Sequence, residues 1–496
     1  MHIVHVTSEL SPFVKAGGLA DMLQGLSNAL KASHHQVTVI LPKYGLIDPL
    51  LIPDKTEKIS FSCYFQKSWQ ENLAHIFSFT GGRLVLLEPV NLPFFSGKEI
   101  YTSHDISRFL YFSRSVLEFL QAAKYPIDIL HVHDWHAAIC PFLLHTLFFN
   151  HSIKISRCLL TIHNLLYQGI AKKHHLEEIG FSEKDLQHVE LKNPGNPSQY
   201  NLLRAGIEFA DWVTTVSPNY SQEILTVEKG SGLQEVLRKH QNKLSGILNG
   251  IDYEAWNPQK DPHVKVHFSK EDSIENILEK KKENKLFLQK KLHLKEKDVP
   301  LLIIVCRLVE QKGLELILHG IKQTLELEGQ VVLLGSSPCS TDQKTFEKLE
   351  KKLLQEEAHF HFAYNEKLSR MAYAAADFIL IPSRFEPCGL TQLIGMRYGV
   401  IPIVRKTGGL ADTVFDIDDK TLPEEKKNGY SFAKYEEQEL ESTLKRAFHM
   451  WHKDKKKHRL LLKNTLTYDF SWNKPCKEYL SLYSQLLSED FWEKPR

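Results

Sequence analysis

One local pattern occurs twice in the 496-residue chain, about 300 residues apart, and it dictates the fold class. Near the start, Ile3 to Val6 is a short β-branched run. Leu19, Met22, Leu23, Leu26 and Leu30 then recur at helical spacing, and Val37 to Leu41 returns to strand. At Leu301 the succession begins again: the apolar run to Cys306, the loop from Arg307 to Gly313, a helix carrying Leu314, Ile317, Leu318 and Ile321, and the run Val331 to Leu334. Each is a βαβ unit, which requires a parallel sheet and a right-handed crossover. Short apolar runs at Leu84–Leu87, Ile129–Val132, Leu159–Ile162 and Trp212–Val216 extend the first sheet. The expected fold is therefore α/β, with two doubly wound domains in tandem and a seam near Asn249-Gly-Ile-Asp252. The length agrees, since domains run to ~100–200 residues.

Lys plus Arg total 62 and Asp plus Glu 60, so no charge excess calls for nucleic acid or an anionic membrane. A neutral polysaccharide would suit such a surface. The seven cysteines are scattered singly, with no CxxC pair or metal spacing, which fits a reducing compartment. The opening MHIVHVTSEL reads as a strand of the fold, not as a signal peptide, and no apolar run reaches the ~18–20 residues that span a bilayer. A cytoplasmic protein is expected. Two Lys-rich stretches, His263 to Asp298 and Lys453 to Lys463, read as solvated helix faces and not as binding patches.

The chemistry-bearing residues cluster where strands end. Lys15-Ala-Gly-Gly-Leu-Ala-Asp21 follows the first strand and opens a helix. Lys406-Thr-Gly-Gly-Leu-Ala-Asp412 repeats it at six of seven positions. Glycines there let a ligand approach the backbone, and a helix N-terminus favours an anion; the bland reading is a tight turn. Arg307 and Lys312 share the loop after a buried strand, where both could grip a diphosphate or simply face solvent. The segment Ser383-Arg-Phe-Glu386-Pro-Cys388-Gly389-Leu390-Thr391 places a glutamate between a strand end and a helix start. That carboxylate could face a sugar, or merely meet a helix dipole. In His131-Val-His133-Asp134-Trp135-His136 the histidines suggest zinc, but alternating strand residues are expected to point to opposite faces, which excludes a single metal site. Asp134 and Trp135 suit sugar hydroxyls and a sugar face better. His163, in Thr161-Ile-His-Asn164, is either a site residue or a satisfied core histidine.

Together these segments, with Thr215-Val-Ser-Pro218 and Gly246-Ile-Leu-Asn-Gly-Ile-Asp252, resemble those of bacterial glycogen synthases and plant starch synthases over essentially the whole chain. The resemblance implies a GT-B architecture: two Rossmann-like domains, 1–248 on the acceptor side and 249–467 on the donor side, facing across a deep cleft, with 468–496 crossing back as helix. It implies a metal-independent, cofactor-free and configuration-retaining glucosyltransferase that uses ADP-glucose and an α-1,4-glucan such as glycogen. Lys15 would contact the donor at the cleft, and Arg307 and Lys312 would hold its diphosphate, helped by the amides of Gly17, Gly18, Leu390 and Thr391. Tyr364 would stack on the nucleobase. His163, Glu386, Cys388 and Gly389 would surround the glucose, and Asp21 and Asp134 would lie toward the acceptor. Position 16 is alanine where the family usually carries threonine or valine. No residue stands out as a nucleophile, so same-face attack by the acceptor hydroxyl is expected. A nucleotide-sugar epimerase of similar architecture and an inactive glucan-binding homologue are the alternatives.

Overall fold

The computed structural model describes residues 1–336, 340–353, 356–363 and 365–488. The chain forms two compact units, Met1–Gly250 together with the segment from Trp472 onward, and Ile251–Ser471.

The second unit is built on a six-stranded sheet, parallel throughout. Its spatial order is Ala358–His361, Gln330–Leu334, Leu301–Val305, Phe378–Ile381, Ile401–Arg405, Tyr430–Phe432. In chain order this is 3-2-1-4-5-6, the doubly wound arrangement. The strand sequences are near-continuous Val, Ile and Leu because both faces are covered, and separate apolar clusters fill the two sides. The order reverses between Leu301–Val305 and Phe378–Ile381, and a ligand crevice belongs outside their carboxyl ends. The loops leaving those two strands carry Arg307, Lys312 and Glu386.

The first unit has a nine-stranded sheet. It is parallel from Leu244–Gly246 through Trp212–Thr215, Ile155–Ile162, Ile127–His133, His2–Val6 and Gln36–Pro42 to Gly82–Pro89. Its switch point lies between His2–Val6 and Ile127–His133, so the loops beginning at Thr7 and Asp134 open onto the corresponding crevice. The edge is an antiparallel hairpin, Glu57–Phe65 with Ser68–Phe79, which no turn signal announces. Its two-residue turn uses Gln66 and Lys67 at φ 48° and 62°, where Asn-Gly is the usual marker. The helix Asn473–Leu487 packs on the helix Gly18–Ala32 within this unit, and Trp472 lies so close to Gly25 that any side chain there would collide with it. No helix among the described residues is long and apolar enough to cross a membrane.

Candidate active site

In the second unit the loop 306–313 turns through one 3₁₀ turn, Glu310–Lys312, and Gly313 at φ 75° starts the next helix. Gln311 ties this loop to the other: it accepts from the Arg384 amide at 2.9 Å and donates to Phe385 O at 3.2 Å. The result is an ion pair. Lys312 Nζ lies 2.6 Å from Glu386 Oε2, which also accepts from Ser383 Oγ at 2.9 Å, and Glu386 is buried. Glu386 is thus held by a cation and a hydroxyl five residues before the helix Thr391–Arg397, not by a helix dipole. Arg307 is exposed, and its guanidinium has no ion-pair or hydrogen-bond partner among the described residues. Arg405 braces the loop from below, donating to the carbonyls of Ser383, Arg384 and Ala433.

Cys388 is buried and Gly389 adopts φ 73°. Both carbonyls accept from Gln392 Nε2, at 3.1 and 2.9 Å. Leu390 and Thr391 form the start of the helix. Tyr364 lies outside the described residues.

The two glycine repeats do different work. At Gly408 and Gly409 an added Cβ would sit 2.0 Å from Glu386 O and 2.2 Å from Cys388 O, and the Gly409 amide donates to Glu386 O at 3.0 Å. The second copy is therefore a packing surface that shapes the Glu386 loop. At this copy the close approach that the glycines permit is made by the chain's own backbone, not left open to a ligand. In the first copy nothing lies within 4 Å of a Cβ at Gly17. The Ala16 and Gly17 amides both donate to Glu9 Oε2, at 2.7 and 2.8 Å, and Tyr101 OH donates to Glu9 Oε1 at 2.5 Å. The Gly17 amide is consequently occupied by a carboxylate, and Gly18 begins the helix whose first amides have no intrahelical partner. Lys15 Nζ pairs with Asp21 Oδ2 at 2.8 Å.

Asp134 ends its strand in the left-handed region, φ 55°, which aspartate tolerates better than most side chains. Its Oδ1 accepts from the His163 amide at 2.7 Å and the Asn164 amide at 3.3 Å. The carboxylate therefore shapes the His163 loop. Burial pushes it up to about 7, against those amide bonds. His163 Nε2 meets His133 Nδ1 at 3.1 Å, and His133 Nε2 meets His5 Nδ1 at 3.0 Å. Burial lowers His163 and His5 to about 3, so these imidazoles are neutral at physiological pH.

Two sequence-based expectations fail here. His131 and His133 are two apart and so share a strand face. With His5 from the neighbouring strand, their ring nitrogens come within 4.8 Å of one another. The expected opposition of faces was wrong. Both nitrogens of His131 are engaged, with Tyr483 OH at 2.8 Å and Thr161 Oγ1 at 2.6 Å, which makes the cluster a hydrogen-bonded core network. Trp135 is not presented to a sugar: it is buried, edge-on to Phe109 and against Gly169.

Glu9, Gln311, Gln392 and Arg405 went unremarked in the sequence, and Ser383 was quoted there only as the first residue of its segment. Glu9 and Ser383 stand just past strand ends, the signal that located the others. Gln311, Gln392 and Arg405 act on distant backbone and leave no local mark.

The family model described as starch synthase catalytic domain matches residues 2–239, and that of glycosyl transferases group 1 matches 286–461. The chain is 39% identical to glycogen synthase of Protochlamydia amoebophila over 99% of this chain and 100% of that protein. It is 40% identical to glycogen synthase 2 of Methylococcus capsulatus over 97% and 99% of the two chains. Against probable starch synthase 4 of Arabidopsis thaliana, identity is 41% over 98% of this chain and 47% of that protein. The solved catalytic domain of starch synthase IV from Arabidopsis thaliana, bound to ADP and acarbose, superimposes with a TM-score of 0.93 at 40% identity, covering 98% and 99% of the chains. The two-domain GT-B glycosyltransferase fold is the fold of this chain.

Proposed function

The chain belongs to the glycogen and starch synthase family of glycosyltransferases, and we propose that it transfers glucose from ADP-glucose to the non-reducing end of an α-1,4-glucan, retaining configuration and using no metal ion. The observation that carries this reading is the Lys312–Glu386–Ser383 group beside a partnerless Arg307, at the switch point of the second sheet. The ADP and acarbose bound to starch synthase IV support a nucleotide leaving group and a glucan acceptor.

The anomeric C–O bond breaks through an oxocarbenium-like state, as in glycoside hydrolysis. The leaving β-phosphate gathers negative charge. Arg307 offers a planar fork for it, and Lys312 a point charge. As the phosphate engages the Lys312 ammonium, the Glu386 carboxylate keeps Ser383 and is free to stabilise positive charge at the sugar. The acceptor 4-hydroxyl attacks from the face that ADP leaves, and its proton passes to the departing phosphate oxygen. Neutral His163, set by Asp134, positions the glucose by hydrogen bonding. Lys15 and Gly18 serve the donor, Cys388, Gly389, Leu390 and Thr391 enclose it, Tyr364 stacks on adenine, and Asp21 lies toward the acceptor. The described cysteines are all free thiols, which supports a cytoplasmic setting.

Radiolabelled ADP-glucose with and without glycogen tests the reading. Label in the polymer only when glycogen is present supports it. Conversion of the donor without acceptor points to an epimerase, and binding of glycogen with no turnover points to an inert binder; either result defeats the proposal.

A further inference from the structure

The two Lys-rich stretches that read as solvated faces in the sequence meet in the second unit. The helix Ile274–Lys291 buries Ile277, Lys281, Asn284, Lys285, Leu288 and Gln289. That is a 3–4-spaced stripe with cations where an amphipathic helix carries apolar residues. Lys281 and Lys285 are buried at 5% and 4% exposure. They line a cavity of about 160 Å³, together with Lys455, His458 and Arg459 from the helix Lys455–Thr467. Asp377 and Ile401 complete it at the amino ends of their strands. The cavity therefore lies at the edge of the parallel sheet opposite the loops that carry Arg307 and Glu386.

Part of this charge is structural. Lys285 donates to Asp377 Oδ2 at 2.6 Å and Val299 O at 2.9 Å. Lys281 donates to Tyr398 O at 2.9 Å and Ala374 O at 3.3 Å, at the carboxyl ends of two helices, and has no carboxylate partner. Lys282 pairs with Asp298, and Arg459 lies 3.6 Å from Glu275. Lys455 has no hydrogen bond or ion pair among the described residues; its ammonium rests 3.7 Å from the centre of the Trp451 ring. Of the five cations that line the cavity, Lys281 and Lys455 have no carboxylate partner. His458 is 6% exposed, and its Nδ1 has no partner. Burial lowers Lys281 to about 7 and also lowers Lys455. Uncompensated cations are costly in a fold, and an anion seated in this cavity would offset them.

We propose that this cavity binds a phosphoryl group, with Lys455 and Arg459 as its contacts and Lys281 as a supporting charge. Lys281 and Lys455, the two cations without a carboxylate partner, favour an anionic guest. The volume is below the ~300 Å³ at which pockets enclose drug-sized ligands, so the guest is inorganic phosphate or the phosphoryl end of a larger sugar phosphate. Its seat joins the helices Ile274–Lys291 and Lys455–Thr467 away from the donor loops, which makes it a site for tuning the second unit and not for transfer chemistry.

The test reads binding, not turnover. Melting temperature is followed with inorganic phosphate, and separately with glucose 1-phosphate, at constant ionic strength and with ADP saturating the donor loops. A saturable rise with either probe is expected, and a greater affinity for glucose 1-phosphate identifies the sugar phosphate as the source. Lys455→Ala, which breaks no bond, should weaken the affinity at least tenfold, and Arg307→Ala should leave it unchanged. Arg459→Ala should weaken it also, so that the result does not rest on one variant. No rise with either probe, an equal rise with chloride, or an undiminished affinity in Lys455→Ala overturns the proposal.

Discussion

Lys312 and Glu386 neutralise each other across 2.6 Å in a largely buried setting, although they leave different strands and lie 74 positions apart. Breaking such a pair strands a charge and costs ~3–5 kcal/mol. Glu386→Gln should therefore lose both stability and turnover. The separation comes from Lys312→Met combined with Glu386→Gln. Melting temperature should recover most of the loss, because no charge is left stranded. Turnover should stay down by ~10² or more, the scale of a missing electrostatic stabiliser. Turnover that recovers with the melting temperature would make the pair purely structural.

Arg307 offers the cleaner variant. Its side chain is exposed and has no partner among the described residues, so Arg307→Ala should leave the unfolding free energy within about 0.5 kcal/mol of wild type. Its turnover should fall ~10²–10³-fold. Calorimetry on the variant alongside initial rates checks both numbers. An altered glycogen KM with unchanged turnover would move Arg307 off the donor.

Glu9 carries the Lys15–Gly17 turn. Glu9→Ala leaves the Ala16 and Gly17 amides without their acceptor, at ~1–3 kcal/mol for each amide that stays buried. The ADP-glucose KM should rise more than that for glycogen, since the turn that follows Lys15 is then no longer held. A change confined to glycogen would contradict this.

These residues show how unevenly the sequence speaks. The doubly wound fold was legible because βαβ units write strand runs and helical spacing into the chain, and strand ends located Lys15, His163, Arg307, Lys312 and Glu386. What it withheld was long-range. Glu9 takes the Gly17 amide, and Gly408 serves as packing although its motif matches Gly17's almost letter for letter. Lys281 and Lys285 looked solvated because charge composition does not reveal which helix face is covered. The hairpin turn at Gln66-Lys67 carries no turn residue. The histidine faces were misassigned by parity, not by any missing signal.

Asp134 gives a pH signature. Its carboxyl ordinarily titrates near 3.8 and is pushed up to about 7 by burial. The folded chain therefore holds a proton that the unfolded chain has lost between those values. Stability from this group is present below about pH 4 and declines as pH rises to about 7. Asp134→Asn keeps an acceptor for the His163 and Asn164 amides. Its stability advantage over wild type should be near zero at pH 4 and reach a few kcal/mol at pH 8. Denaturant midpoints across that range decide it, and a constant difference would contradict the assignment.

The proposed transfer is tested most directly by chain growth on a defined acceptor. A maltooligosaccharide labelled at its reducing end is incubated with ADP-glucose and excess chelator, and the products are separated by length. The site described here predicts a ladder of products longer by successive glucose units, with the new linkages cleaved by an α-1,4-specific glucosidase and ADP released in equal number. An acceptor of unchanged length, or growth that appears only when a divalent metal is restored, would contradict it.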